Sequence, residues 1–179
     1  MAKHLFLIRH GELPESETKR YPGRRRDPGL SAEGRAACAY LRDLRCDLVF
    51  SGPSRRARET AAWIDAPRRI LQELDEIDFG DWAGLTFEEI SRIAAPEQLR
   101  CWAETPERMI FPGGESVAAF RRRADAAFAV IAASDAPRVA AVTHGGCLDR
   151  MLAGIRPDPL PRGAMTELIR KNGGWHEAK

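Results

Sequence analysis

The chain has 179 residues and a formal net charge of +2 at pH 7; 44% of its residues are hydrophobic and 30% are charged. These values are typical of one globular domain, which we expect to span residues 1–179. The nearly balanced charge argues against a nucleic-acid partner. No apolar run is long enough to cross a membrane and no signal-peptide core is present, so we predict a cytoplasmic protein without a membrane partner.

The cysteines are few and widely spaced, and none forms a C-x-x-C pair. They are Cys38, Cys46, Cys101 and Cys147. This spacing predicts neither a zinc site nor a disulfide framework, and we expect reduced thiols and no bound metal.

The first predicted element is a short apolar strand at residues 5–8, followed directly by Arg9, His10 and Gly11. In open α/β sheets, ligands bind in the crevice beyond the carboxyl ends of the strands. Arg9 and His10 therefore face a binding crevice or, alternatively, belong to a strand end that frays into solvent. The stretch by itself does not decide between the two.

A polar, proline-containing stretch at residues 13–29 predicts a long loop, and it carries three consecutive arginines, Arg24–Arg26. Long loops in compact domains are often functional. The arginines are interpreted either as a solvated basic loop or as an electropositive rim that attracts anionic substrates.

The central part of the chain predicts helices with Ser31, Ser54 and Thr86 as N-caps, and two short strands at residues 47–50 and 69–71. Between the strand at 69–71 and the helix capped by Thr86, residues 73–82 alternate acidic and apolar side chains. We interpret this segment as a loop anchored by its aromatic residues, with one carboxylate pointing inward.

A second short helix is predicted at residues 97–102, and a long amphipathic helix follows Ser116, with Arg121–Arg123 on its solvated face. The apolar run 138–142 then predicts another buried strand. It ends in Thr143-His144-Gly145-Gly146 and so repeats the pattern at His10, an imidazole and a glycine directly after a strand. A helix at 147–152 and a last strand at 164–169 with a hairpin turn complete the predicted elements.

These side chains match the requirements of phosphoryl transfer through a histidine nucleophile. Such chemistry needs a neutral imidazole, cations for the phosphoryl oxygens, a second donor and a carboxylic acid that protonates the leaving oxygen. His10 is the candidate nucleophile, Arg9 and Arg56 are the candidate cations, and His144 is the candidate second donor. An acid near Glu76 is the candidate proton donor.

Seven ordered stretches together resemble the histidine phosphatase superfamily, the phosphoglycerate-mutase-like proteins. The first is Leu7-Ile8-Arg9-His10-Gly11-Glu12, which is similar to the family signature. The other six begin at Arg20, Leu30, Ser51, Glu76, Phe111 and Thr143. The resemblance implies a three-layer α/β sandwich with a mostly parallel central sheet and helices on both faces.

The resemblance also implies a ping-pong mechanism with His10 as nucleophile and Glu76 as acid/base, and with Arg9, Arg56 and His144 holding the phosphoryl group. It requires no metal or other cofactor. The family motifs add further substrate-binding residues to this set. These are Arg20, Gly145 and Ser16, the last at a position where the family often has asparagine.

The short chain is most similar to the phosphatase branch, in particular to α-ribazole phosphatases and broad-range phosphomonoesterases. We therefore expect hydrolysis of a small phosphate ester, with α-ribazole 5'-phosphate as one candidate. The alternatives are a cofactor-dependent phosphoglycerate mutase and a non-catalytic phosphate-binding module. A cysteine phosphatase based on Cys147 is disfavoured because Cys147-Leu148-Asp149-Arg150 is too short to wrap a phosphate. The sequence predicts no oligomeric state.

Overall fold

A computed structural model describes residues 3–178, whose centre is a six-stranded sheet with the strand order β3-β2-β4-β1-β5-β6. The first four strands in this order run parallel to one another, β5 pairs antiparallel with β1, and β6 pairs antiparallel with β5. The strands are β1 His4–Arg9, β2 Leu48–Ser51, β3 Arg68–Ile70, β4 Arg138–Thr143, β5 Met165–Lys171 and β6 Gly174–Glu177.

The helices begin largely where the capping residues predict. Ser31, Ser54, Thr86 and Ser116 each accept a hydrogen bond from a main-chain N–H in the first turn of the helix that follows. The helices are α1 Glu15–Thr18, α2 Ala32–Ala37, α3 Arg55–Ala61, α4 Phe87–Ile93, α5 Pro96–Glu104, α6 Val117–Ala133 and α7 Gly145–Met151. None of the helices within residues 3–178 has the length and apolar character that crossing a bilayer requires.

Alternate residues of the central strands point into two separate cores, one on each face of the sheet. Leu5 and Leu7 pack into the core that contains Phe120 of α6, whereas Phe6 and Ile8 pack into the other core. Because the central strands are covered on both faces, they are apolar throughout rather than alternating. The three-layer α/β sandwich is thus confirmed.

The loop from residue 13 to residue 29 is irregular apart from α1, and Arg24–Arg26 are exposed on it, yet all three are paired. Each guanidinium of Arg24–Arg26 pairs with a different carboxylate. The partners are Asp75, Asp78 and Glu17, respectively. Arg24 and Arg25 therefore fasten this loop to the acidic segment that contains Glu76, whereas Arg26 pairs within the loop.

The prediction that Arg121–Arg123 form a solvated face is wrong for Arg123. Arg121 and Arg122 are exposed, but the Arg123 side chain is largely buried and pairs with Glu115 at 2.9 Å. A charged residue of this kind is buried only where all its donors find partners.

Candidate active site

The two histidines that follow apolar strands lie side by side at the carboxyl edge of the sheet. β1 and β4 are parallel neighbours and pair Arg9 with Thr143, so the next residue of each strand is a histidine at the same level. The imidazole centroids of His10 and His144 are 5.2 Å apart at an interplanar angle of 62°. The strand-end interpretation that placed His10 in a crevice is therefore the one that fits the structure.

The His10 imidazole is held as a neutral ring with one free nitrogen. Its Nδ1 lies 2.8 Å from the Gly11 carbonyl oxygen. A carbonyl can only accept, so Nδ1 carries the proton and Nε2 keeps its lone pair. Burial, reinforced by the nearby Arg56, lowers the pKa of His10 to about 3.

The main chain around His10 requires glycine at position 11. A Cβ there would lie 2.8 Å from the Cys38 sulfur and 2.9 Å from the Gly34 carbonyl oxygen. The Gly11 N–H donates to the Thr60 hydroxyl at 3.0 Å, and that hydroxyl donates to the Arg56 carbonyl at 2.9 Å. The nucleophile loop is thereby tied to the helix that carries Arg56.

His144 is fully buried and sits between a hydroxyl and two carboxylates. Its Nε2 lies 3.2 Å from the Ser54 hydroxyl and 3.9 Å from Asp75, and its Nδ1 lies 3.7 Å from Glu76. Burial, together with Arg56, holds the pKa of His144 well below its ordinary value. The ring is therefore neutral at neutral pH.

Arg9 and Arg56 each use part of the guanidinium for the protein and keep the Nε–H free. Arg9 donates to the Leu160 carbonyl at 2.8 Å, and Arg56 donates to the Gly23 carbonyl at 2.9 Å. Within residues 3–178, four buried side-chain polar atoms have no hydrogen-bond partner in the protein. They are Nε of Arg9, Nε of Arg56, Nδ1 of His144 and Oε2 of Glu17. Three of the four belong to the predicted phosphoryl-binding residues, which fits a site built for an anion.

Glu76 is the inward-pointing carboxylate of the acidic segment. Its Oε1 accepts a hydrogen bond from the Ile77 N–H at 3.0 Å, and its other oxygen faces His144. Burial raises the pKa of Glu76, and this effect outweighs the opposing hydrogen bond from Ile77 and the charges of Arg56 and Arg9. The carboxyl group thus keeps a proton to higher pH than an exposed glutamate would.

A cavity of about 300 Å³ joins most of these groups, and we call it the phosphate pocket. Arg9, His10, Arg56 and Glu76 line it together with Arg20. Its wall also includes residues that the sequence did not single out, namely Thr18, Lys19 and Arg162. Arg162 follows a proline and precedes a glycine, which marks a turn but does not indicate that the turn folds over β1.

The structure does not bring every predicted binding residue into the phosphate pocket. Ser16 is exposed on α1 and does not line it, because the helical turn directs Thr18 there instead, so the predicted contact of Ser16 is wrong. Arg20 lines the pocket, yet its Nη1 is engaged by Glu89 at 3.0 Å and by the Gly84 carbonyl at 2.8 Å. Gly145 lies beside it, where a Cβ would come within 3.1 Å of the Arg9 guanidinium carbon.

A second cavity of about 610 Å³ adjoins the phosphate pocket and shares Glu76, Tyr21 and Phe79 with it. We call it the aromatic cavity because rings form much of its wall. These rings are Tyr21, Phe79, Trp102, Phe111 and Phe120. Among residues 3–178, no group of three or more histidine, cysteine, aspartate or glutamate side chains is arranged to hold a metal ion.

Comparisons with known proteins find phosphatases among the proteins that resemble this chain. The α-ribazole phosphatase of Salmonella typhimurium is 28% identical over 180 residues, which cover 96% of this chain and 87% of that protein. Phosphoserine phosphatase 1 of Hydrogenobacter thermophilus is 35% identical over 127 residues, and the match spans 66% of this chain but only 59% of that enzyme. A crystal structure of a putative α-ribazole-5'-P phosphatase from Escherichia coli superimposes with a TM-score of 0.87 at 24% identity, covering 99% of this chain and 95% of the other, and supports the fold.

The family model of the histidine phosphatase superfamily, branch 1, matches residues 5–178, nearly the whole chain. The match includes both strand-end histidines and the acidic segment. The chain therefore belongs to the histidine phosphatase superfamily.

Proposed function

We propose that this histidine phosphatase is a single-domain phosphomonoesterase that hydrolyses a small phosphate ester through a phosphohistidine at His10. The observation that carries the proposal is the cluster of buried donors on Arg9, Arg56 and His144 that lack partners in the protein, next to an imidazole with a free Nε2. Such donors are costly to bury unless an anion accepts from them.

In the first step, Nε2 of His10 attacks phosphorus and the bond to the leaving oxygen breaks. Because the pKa of His10 lies near 3, no proton has to leave the imidazole before it attacks. The guanidinium groups of Arg9 and Arg56 hold the phosphoryl oxygens, and their fork geometry suits this anion. Glu76 gives its proton to the leaving alkoxide, so the alcohol departs neutral.

In the second step, the Glu76 carboxylate takes a proton from water, whose oxygen attacks the phosphohistidine. The nitrogen–phosphorus bond breaks and His10 returns to its neutral form, while Glu76 is again protonated. The same carboxyl group is acid in one half-reaction and base in the other, which its raised pKa favours.

We assign His144 the role of a neutral hydrogen-bond donor. The Ser54 hydroxyl accepts from the Ala57 N–H and can give its own proton to Nε2 of His144, 3.2 Å away. In that arrangement Nδ1 carries the N–H, and this nitrogen is the one without a protein partner. A fixed donor of this kind stabilises charge that develops on the phosphoryl oxygens.

The aromatic cavity supports an alcohol with a flat, apolar part rather than a compact acidic one. It opens beside Glu76, where the leaving oxygen must lie. Apart from Glu76, the charged side chains that line it all lie at its rim. Those rim residues are Arg121, Asp149 and Arg150, of which Arg150 is paired with Asp125 at 2.7 Å. α-Ribazole 5'-phosphate, the ester of a benzimidazole riboside, fits this description and is our first candidate substrate.

The proposal is tested by phosphate release from a panel of monoesters that includes α-ribazole 5'-phosphate, phosphoserine and 3-phosphoglycerate. We expect the aromatic riboside to have the highest kcat/KM. Rapid acid-free denaturation during turnover should trap phosphate on the protein. His10→Asn should abolish the trapped phosphate and lower kcat by several orders of magnitude.

Two other results would replace the proposal. Interconversion of 3- and 2-phosphoglycerate without net phosphate release would identify a mutase that uses the same site. Saturable binding of inorganic phosphate with no turnover of any ester would identify a non-catalytic module. Substantial turnover by His10→Asn would reject His10 as the nucleophile.

A further inference from the structure

Arg123 is the most completely bonded side chain near the site, although it does not line the phosphate pocket. Its Nη1 donates to the carbonyls of Glu73 and Asp75, both at 2.8 Å, and its Nη2 donates to the Glu76 carbonyl at 3.2 Å. Its Nε and Nη2 also donate to the two carboxylate oxygens of Glu115, at 3.1 and 2.9 Å. All five N–H groups of the guanidinium therefore have an acceptor.

The three carbonyls belong to the short segment that delivers Glu76 to the site. The segment begins in a single 3₁₀ turn, Gln72–Leu74, and beyond that turn Asp75 and Glu76 belong to no helix or strand. Main-chain carbonyls at the end of such a turn carry partial negative charge, so a buried cation is a suitable partner for them.

Glu115 holds the same segment from the other side. Its N–H donates to the Asp78 carbonyl at 2.9 Å, and its carboxylate accepts from the Asp78 N–H at 3.4 Å. Arg123 and Glu115 thus grip the main chain on both sides of Glu76, and we call this pair the clamp. Arg123 stands on the 17-residue helix α6, which gives the irregular segment a rigid support.

We propose that Arg123, oriented by Glu115, is a positioning residue that holds the Glu76 carboxyl group against the leaving oxygen. The inference rests on the proposed function, because it assumes that Glu76 is the acid. Arg123 lines neither the phosphate pocket nor the aromatic cavity and does not bond His10, so its effect on the reaction has to pass through Glu76.

A leaving-group comparison separates this role from a general structural one. p-Nitrophenyl phosphate has a good leaving group that needs no proton, whereas 2-phenylethyl phosphate needs the acid. Because Glu76 also serves as the base in the second step, which both esters share, the comparison uses kcat/KM, which reports only the transfer to His10. We expect Arg123→Lys to lower kcat/KM for the phenylethyl ester by about 30-fold or more while lowering kcat/KM for the nitrophenyl ester less than about 3-fold. Arg122→Lys, on the exposed neighbour, is the control and should change neither value.

The double variant with Glu76→Gln supplies the decisive measurement. If Arg123 acts through Glu76, Arg123→Lys should cost nothing further once Glu76 has lost its proton. Glu115→Gln, which keeps the shape of the clamp but weakens it, should give the same leaving-group pattern to a smaller extent. It also serves as the test if Arg123→Lys does not fold.

Equal losses on both esters, or losses that multiply in the double variant, would overturn the role of Arg123 while leaving Glu76 as the acid. If Glu76→Gln itself reduced both esters equally, the acid assignment in the proposed function would fail, and the clamp inference with it. The wild type, Arg123→Lys, Glu76→Gln and the double variant, each assayed on both esters, therefore distinguish the two failures.

Discussion

One nitrogen of each imidazole in the site lies within hydrogen-bonding distance of an oxygen atom. The Gly11 carbonyl accepts from Nδ1 of His10 and leaves Nε2 free for the proposed attack, whereas in the proposed mechanism the Ser54 hydroxyl donates to Nε2 of His144 and leaves Nδ1 to donate to the substrate. Two neutral histidines 5.2 Å apart can thus have opposite roles, because each tautomer is chosen by a different partner.

Replacement of Ser54 should affect both a helix and the reaction. Ser54→Ala removes the N-cap of α3, which should lower the free energy of unfolding by about 1 kcal/mol. It also removes the partner that fixes the His144 tautomer, so we expect kcat to fall about 10-fold. Urea denaturation and steady-state kinetics measure the two effects.

Ser31→Ala is the matched control for this variant. Ser31 caps α2 in the same way, by accepting from the Gly34 N–H at 2.9 Å, but has no contact with His144. It should cost similar stability and leave kcat unchanged. If Ser31→Ala and Ser54→Ala had the same kcat, the orientation of His144 would not depend on the Ser54 hydroxyl.

At the level of elements, the sequence was informative wherever local chemistry determines the structure. Apolar runs covered on both faces predicted β1 and β4, and serine caps predicted the starts of α2 and α3. Because β1 and β4 are parallel, two local patterns, each a strand followed by histidine, were enough to predict a shared site.

The sequence was less informative where a side chain meets its partner through the fold alone. Arg123 was assigned to solvent together with Arg121 and Arg122 as a run of charged residues, and nothing local indicates the carbonyls of residues 73–76. Arg162 reaches the pocket only because the segment before β5 packs on the end of β1, where the Gly163 N–H donates to the His10 carbonyl. Ser16 was predicted to contact the phosphate because the sequence of this loop did not indicate α1, the single helical turn on which Ser16 lies.

The segment after α7 offers a test of the aromatic cavity. Ala153 is exposed at the rim of this cavity, so Ala153→Trp narrows the entrance without disturbing the core. We expect kcat/KM for the bulky aromatic ester to fall about 10-fold, equivalent to about 1.4 kcal/mol, with little change for ethyl phosphate.

Ala129→Trp provides the comparison for this substitution. Ala129 is exposed on α6 and does not line the cavity, so the same increase in size should leave both substrates unaffected. Loss of activity on ethyl phosphate equal to that on the aromatic ester would mean that the leaving alcohol does not enter the aromatic cavity.

For the whole molecule, the site costs stability that the two cores must offset. Two imidazoles and two guanidinium groups are buried around one carboxyl group, and burial lowers the pKa of Arg9 and of Arg56. Burying cations together is unfavourable unless they are paired or hydrogen-bonded. Here α3 and α7 begin directly behind the strand ends, and their packing on the sheet holds the charges in place.

The same burial makes the stability of the fold depend on pH. The pKa of His10 is about 3 in the folded protein and near 6.5 in the unfolded chain, so only the unfolded state takes up a proton as the pH falls below about 6.5. A depressed pKa in the folded state contributes stability above pH 6.5 that is lost progressively toward pH 3. Glu76, whose pKa is raised, works in the opposite direction, so the contribution of His10 must be isolated as a difference between two proteins.

His10→Asn isolates this contribution, because the asparagine amide can still donate to the Gly11 carbonyl but does not titrate. Between pH 6 and 4, the free energy of unfolding of the wild type should fall more steeply than that of the variant, by about 1.4 kcal/mol per pH unit. Urea titrations at several pH values in phosphate-free buffer measure both slopes, with His176→Asn, exposed on β6, as the matched control. Parallel slopes for wild type and His10→Asn would mean that His10 takes up its proton in the folded protein, and the neutral nucleophile on which the mechanism depends would be lost across that range.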